Sequence, residues 1–471
     1  MKNNLKRVML TSLLLVGLSA CNYADDQTIV TPERAAEGNP VPAARDFARI
    51  NAQHKVLVAI VDSGVDYNQP TLAENLHFKL DKNNKPVGFG YDLIGKDSWA
   101  SSYIVRTSDY NPQIDKDKKE ASQTERENIV KFLEKYPEFK TFLSPDRNVA
   151  QEASETAAHG THVAGLTAYD RPDIGVAGYR VLPLNERYKN GKLVKDDTAE
   201  LIVDNILKAS QQAINDGARV INMSLGIPGD KPTDDTKKDA MNEYENQKKR
   251  VEKLRKLALA NPNVVFVVAA GNDGKWIDEK TRMGLPCGVQ APNILCVGAL
   301  DKNGDIANFS NILVSEGAFI MTLGVDIVST VPTKMCATRN LSAFASKKFF
   351  KEEKNIEKLA VALRKDCAQL GMQKMSGTSM ASPIIARQAA KVLAGTPELT
   401  GAQVIQALMI RTVPVKVGTL TFQKLRIEKP SWYKTGKADD WMKALGDRSD
   451  FNSVIEDSND YFEFYGVDSA R

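Results

Sequence analysis

The segment Val56-Leu57-Val58-Ala59-Ile60-Val61 is apolar throughout and rich in β-branched residues, and it constrains this chain more than any other stretch. A strand with one wet face alternates polar and apolar residues. An unbroken run of this length reads instead as a strand buried on both faces of a parallel sheet. Similar runs recur at Arg219–Met223, Val264–Val268, Ile294–Val297 and Val325–Val328. Helical patterns lie between them. Asp197 with Glu200 can cap a helix whose apolar face runs through Leu201, Ile202, Ile206, Ala209 and Ala213 to a stop at Gly217, and Thr400 with Gln403 repeats the capping signal before Val404 and Leu408. Strands alternating with helices define an α/β fold with a mainly parallel central sheet flanked by helices, whose ligand sites gather at the carboxyl ends of the strands.

Three charge-dense stretches break that rhythm, at about 95–150, 229–258 and 333–374, and are read as insertions. The first two read as exposed helix faces; the third is strongly basic and runs directly into the segment around Ser379. Over all 471 residues, 63 Lys+Arg against 59 Asp+Glu leave a net charge of +4. An electrostatic nucleic-acid binder needs a larger basic excess, so no nucleic-acid partner is expected.

The N-terminus is separate from the fold. Lys2, Lys6 and Arg7 precede an apolar region from Val8 to Leu18, and Leu18-Ser19-Ala20-Cys21 follows. This resembles a bacterial lipoprotein signal over residues 1–20, which implies lipidation of Cys21 and a membrane anchor made of acyl chains. The apolar region is too short to span a bilayer. Residues 21–50 read as a tether, and the expected location is the cell envelope, on the extracytoplasmic side of a membrane. Export makes disulfides expected among Cys287, Cys296, Cys336 and Cys367. Three connectivities exist, and pairing nearest neighbours joins Cys287 to Cys296 and Cys336 to Cys367.

Chemistry concentrates in three segments. Asp62 closes the first apolar run in Val61-Asp62-Ser63-Gly64, leaving a carboxylate at the end of a strand. His159 and His162 stand in Ala158-His159-Gly160-Thr161-His162-Val163; with His54 and His77 they are the only imidazoles available for base catalysis near neutral pH. Zinc is disfavoured because the His-Glu-x-x-His spacing is missing. Ser379 lies in Ser376-Gly377-Thr378-Ser379-Met380-Ala381-Ser382-Pro383, and Pro383 is tolerated only in a first turn, so Ser379 starts a helix whose free N–H groups favour an oxyanion.

With Asp62, His159 and Ser379 in that order, the chain resembles the subtilisin-like serine proteases (the subtilase family). Val220-Ile221-Asn222-Met223-Ser224-Leu225-Gly226 resembles that family's substrate-binding strand, and Val268-Ala269-Ala270-Gly271-Asn272 resembles the strand end carrying its oxyanion asparagine. The resemblance implies Ser379 as nucleophile, His159 as general base, Asp62 as its orienting carboxylate and Asn272 as oxyanion donor. It implies peptide binding along Ser224, Leu225, Gly226, Ala269, Ala270 and Gly271, polypeptide substrates, and a monomer. A peptidase domain is expected over 51–413, followed by a C-terminal extension over 414–471. No cofactor is required. Asp170–Ile174 occupies the place where many relatives bind calcium but offers only Asp170 and Asp173, so calcium is left open and no metal ligand is assigned. The alternative is a catalytically inactive binding lipoprotein on the same fold, which the presence of Asp62, His159, Ser379 and Asn272 disfavours.

Overall fold

The structure is a computed structural model describing residues 42–425, apart from 102–115, 142–154, 183–187, 190–191, 194–198, 228, 230, 233–237, 279–283, 315, 333–342, 345, 369–371 and 418–419. Cys21, the signal segment, Asp197, Cys336 and residues 426–471 lie outside it, as does the Cys367 side chain. Nine strands form the main sheet: β1 (Val56–Asp62), β2 (Tyr91–Asp92), β3 (Ile174–Arg180), β4 (Val220–Met223), β5 (Val265–Ala269), β6 (Ile294–Leu300), β7 (Ala318–Leu323), and, after two strands of a separate ribbon, β10 (Thr412–Val417) and β11 (Leu420–Leu425). Their spatial order is β10-β11-β7-β6-β5-β4-β1-β3-β2. All neighbours are parallel except β10 and β11.

Every residue of β1, β3 and β6 is buried, because helices cover both faces of the sheet. The principal helices are α1 (Phe47–Gln53), α2 (Lys116–Lys135), α3 (Glu155–Ala168), α4 (Ala199–Asn215), α5 (Lys238–Ala260), α6 (Glu353–Ala368), α7 (Thr378–Gly395) and α8 (Gly401–Met409). The expected capping box is present on α8, with Thr400 accepting from the Gln403 N–H while the Gln403 side chain reaches back to Thr400. α7 packs across β1 and β3 to β7 and against α3. The chain is thus an α/β fold built on a mainly parallel sheet.

Four expectations change. The run Val325–Val328 does not join the main sheet: Asp326 turns at φ 54°, and β8 (Ile327–Thr330) pairs antiparallel with β9 (Met372–Met375) in a separate ribbon. The boundary at 413 falls inside the β10–β11 hairpin, which adds to β7, so residues 414–425 belong to the sheet. Pro414 lies on β10, the edge strand of the sheet, where proline is tolerated. Most of the stretch 229–258 forms α5, the crossover helix between β4 and β5; Leu254 and Ala258 join the core while its other faces carry the charge.

The fourth change concerns the other two charged stretches, which pack on each other. Ile129, Phe132 and Leu133 of α2 and Phe139 share an apolar cluster with Phe344, Phe350 and, on α6, Ile356, Leu359 and Leu363. The Phe132 and Phe344 rings meet edge to face at 5.3 Å. Around this cluster the charges find partners in the opposite stretch: Lys135 with Glu353 and Glu357, and Arg364 with Glu138. Each stretch alone has too narrow an apolar face to form a core. Together they extend the apolar core that begins at the sheet.

Candidate active site

The carboxyl ends of β1, β4 and β5 open onto one region. Asp62, the last residue of β1, is fully buried, and its Oδ1 accepts the Ser63 N–H at 2.7 Å. Its two oxygens lie 2.8 and 3.0 Å from Nδ1 of His159, on the first turns of α3. A carboxylate there holds the ring with Nδ1 protonated and leaves Nε2 as the basic nitrogen. The Ser63 hydroxyl accepts the Gly160 N–H at 3.1 Å, tying the helix directly to the strand end.

The four histidines separate by environment. His54 and His77 contact each other at 3.0 Å, and His54 lies just ahead of the amino end of β1, remote from the strand ends that carry Asp62. His162 is fully buried, and its Nε2 donates to the carbonyls of Ile327 and Gln373 at 3.0 and 2.9 Å. Burial, with the nearby His159 charge adding to it, pushes its pKa down to about 3 and keeps it neutral. His159 alone pairs with Asp62 while keeping a partly exposed ring.

Ser379 is the second residue of α7 and borders a pocket of about 170 Å³. Leu225 and Gly226 form one wall and Ala269, Ala270 and Gly271 another. Ile227, Gly284, Leu285 and Asn311 complete it. Ser224 does not line the pocket. It is buried beneath Ser379, whose Oγ donates to the Ser224 carbonyl at 3.1 Å.

Asn272 stands at the pocket mouth with its amide oriented by the fold. Its Oδ1 accepts from both the backbone N–H and the hydroxyl of Thr378, at 2.9 and 3.0 Å, so Nδ2 is the end left to donate. A side chain on Gly377 would come within 3.2 Å of that nitrogen; glycine leaves the approach clear. Thr378 also accepts the Gly271 N–H at 2.9 Å. Asn311, 2% exposed, donates to the Ala270 carbonyl and accepts from the Asp273 and Lys275 N–H groups, bracing the same wall. Thr378, Asn311 and Ser63 were not singled out from sequence. Thr378 and Ser63 adjoin motif residues, but nothing local marks Asn311.

In the loop Asp170–Ile174, where calcium was left open, one of the two aspartates is already paired. Both oxygens of Asp173 are engaged by the Arg171 guanidinium at 2.9 and 2.8 Å. Beyond it, burial lowers the pKa of Lys391 to about 7, with Arg171, Arg387 and Arg411 adding to the shift and Asp173 opposing it. No group of three or more carboxylate, imidazole or thiol ligands occurs among the described residues.

A parallel α/β sheet that brings an Asp–His pair and a helix-start serine to its strand ends has the layout of the α/β serine hydrolases. The chain belongs to the subtilase family, which matches residues 53–442. Subtilisin NAT of Bacillus subtilis subsp. natto is 30% identical over 264 residues, 56% of this chain and 52% of that protein. Subtilisin of Bacillus pumilus is 29% identical over 264 residues, 56% of this chain and 72% of that protein. The chain spans about half the length of the first of these relatives. Among solved structures, a lanthipeptide protease aligns over 81% of this chain and 88% of its own at 19% identity, with a TM-score of 0.46. The nisin leader peptidase NisP from Lactococcus lactis aligns over 77% and 84% at 18% identity, with a TM-score of 0.44.

Proposed function

We propose that this chain is a serine endopeptidase that hydrolyses peptide bonds through an acyl-enzyme intermediate. The pocket bordered by both Ser379 and Asn272 carries the reading. A peptide laid along Ser224-Leu225-Gly226 places a side chain in that pocket and its carbonyl at the start of α7. The Ser379 Oγ attacks the carbonyl carbon as His159 Nε2 takes its proton, and Asp62 stabilises the resulting imidazolium. Asn272 Nδ2 and the Ser379 N–H hold the oxyanion. His159 then delivers its proton to the leaving amine, and water hydrolyses the ester by the same route. The partners of this chemistry are polypeptides, met by a monomer. A fluorophosphonate probe should label the purified chain at Ser379, and Ser379→Ala should abolish both labelling and casein hydrolysis while leaving the circular dichroism spectrum unchanged. Casein hydrolysis by the variant at the parental rate would refute the assignment.

The chain is also proposed to be exported and anchored through acyl groups on Cys21. The Cys287–Cys296 disulfide supports an oxidising compartment. Cys21→Ser should move the protein from the membrane pellet to the soluble fraction; complete sedimentation of the variant would remove the lipid anchor.

A further inference from the structure

Pro383 leaves a gap in the hydrogen bonding of the nucleophile's own helix. In an α-helix the carbonyl of residue i accepts from the N–H of residue i+4, so the Ser379 carbonyl points toward position 383, which has no N–H to give. The structure fills that gap from another element. The Ser224 Oγ donates to the Ser379 carbonyl at 2.8 Å. Ser224 accepts in turn from Asn222 Nδ2 at 2.9 Å, and Asn222 Oδ1 accepts from the Ser382 hydroxyl at 2.7 Å. Ser382 is one turn beyond Ser379 on α7, so the chain of bonds leaves the helix and returns to it.

Asn222 is the unexpected member. It occupies the interior of β4, opposite Ile60 of β1 and Val267 of β5, and is fully buried. An amide there is costly to desolvate unless both its ends are bonded, and an apolar residue would suit the strand better. Its side-chain partners, Ser224 and Ser382, belong to the peptide-binding segment and the nucleophile helix. The bonding also has one consistent direction. Because Asn222 donates to Ser224, the Ser224 hydroxyl is free to donate onward only to Ser379, and the Ser379 hydroxyl closes the loop by donating to the Ser224 carbonyl.

We propose that Asn222 and Ser382 are positioning residues for the nucleophile: through Ser224 they replace the helix bond that Pro383 removes and so fix the first turn of α7 against the peptide-binding segment. They do not touch substrate. This rests on the hydrolase reading above, and deepens it by naming what sets the Ser379 N–H and Oγ relative to the bound peptide.

The test uses the full chain, with kcat and KM on a peptide substrate, the rate of fluorophosphonate labelling, and the thermal midpoint, all normalised to titrated active sites. Asn222→Ala should lower kcat and the labelling rate together by about 10- to 100-fold, with KM changing less than about threefold. Ser382→Ala should cost about fivefold, and Ser382→Thr, which keeps the hydroxyl, should restore most of it. Asn222→Ala combined with Ser382→Ala should be no slower than Asn222→Ala alone, since both act through one chain of bonds. In a Pro383→Ala background the new N–H can take the Ser379 carbonyl, so the effect of Ser382→Ala should shrink. A lower thermal midpoint with unchanged kcat per active site overturns the proposal, and so does an undiminished Ser382→Ala effect in the Pro383→Ala background. Ser382→Ala and Ser382→Thr carry the comparison if Asn222→Ala does not fold. A parent chain that neither labels nor cleaves overturns the hydrolase reading itself, and this inference with it.

Discussion

Replacing Gly160 with alanine should separate His159 from Asp62. Gly160 follows His159 in α3 and faces the turn after Asp62; a Cβ built there lies 2.1 Å from the Gly64 carbonyl oxygen and 3.0 Å from its carbon. Ordinary carbon–oxygen contacts begin near about 3.3 Å, so one backbone must retreat by about 1 Å. Both candidates adjoin the His159–Asp62 pair. Gly64 is two residues from Asp62, and Gly160 donates its N–H to Ser63 at 3.1 Å. A 1 Å shift of α3 would stretch the His159–Asp62 contacts, now 2.8 and 3.0 Å, past hydrogen-bond range. We expect about 1–3 kcal/mol of destabilisation from overpacking and a loss of about 10²-fold in kcat. The assay is peptide hydrolysis per titrated site together with urea unfolding. Gly395→Ala is the control: it ends α7 with no atom within 4 Å of the added carbon, so it should leave turnover unchanged. Parental kcat and stability in Gly160→Ala would refute the argument that this contact sets the pair.

Three further outcomes follow from the described contacts. Asn272→Ala should lower kcat by about 10²–10³-fold with little change in KM, because the Nδ2 donor acts on charge that develops only in the transition state; an unchanged kcat would remove it from the oxyanion site. His77 should make stability fall on acidification. Burial, reinforced by neighbouring His54 and opposed by Asp216, pushes its pKa from 6.5 to about 4, so between those values the unfolded chain binds a proton that the folded chain refuses. Its contribution is complete above pH 6.5 and lost as pH falls toward 4, about 3 kcal/mol in all; urea midpoints across that window should slope less in His77→Asn than in the parent. Replacing Cys287 and Cys296 together with alanine should cost about 2–3 kcal/mol, the scale for a cross-link spanning 9 positions, and an unmoved urea midpoint would count against it.

The strands that could be read from sequence were those with largely apolar, β-branched runs: the runs in β1, β5 and β6 are unbroken, and the one in β4 is interrupted only by Asn222. β3 was not legible, because Gly175 and Gly178 and the terminal Arg180 dilute its apolar signal, although all seven of its residues are buried. Val325–Val328 had the right composition but the wrong destination, since a single left-handed residue, Asp326, redirects the chain into a ribbon. In the candidate site, Asp62, His159 and Ser379 could be picked out because each sits in a short motif tied to a strand end or helix start, and Asn272 through the resemblance of its segment to the family's. Asn311 and the Asn222–Ser382 bond were hidden for the opposite reason. Asn222 and Ser382 are 160 positions apart, and no local pattern announces a hydrogen bond that only the tertiary fold can make.

The shared core of α2 and α6 has a consequence in time. Asn128 and the Phe344 carbonyl that it binds are separated by 216 positions. At ribosomal speeds of about 5–20 residues per second, the apolar face of α2 waits about 10–40 s for the residues that cover it. During that interval Ile129, Phe132 and Leu133 offer a sticky surface to any holding chaperone. The wait ends late and abruptly. Ser379 follows the end of α6 by a stretch made in about 0.5–2 s at the same speeds, so a growing chain receives the cover for α2 and Ser379 almost together, and a chain cut short before that point has neither.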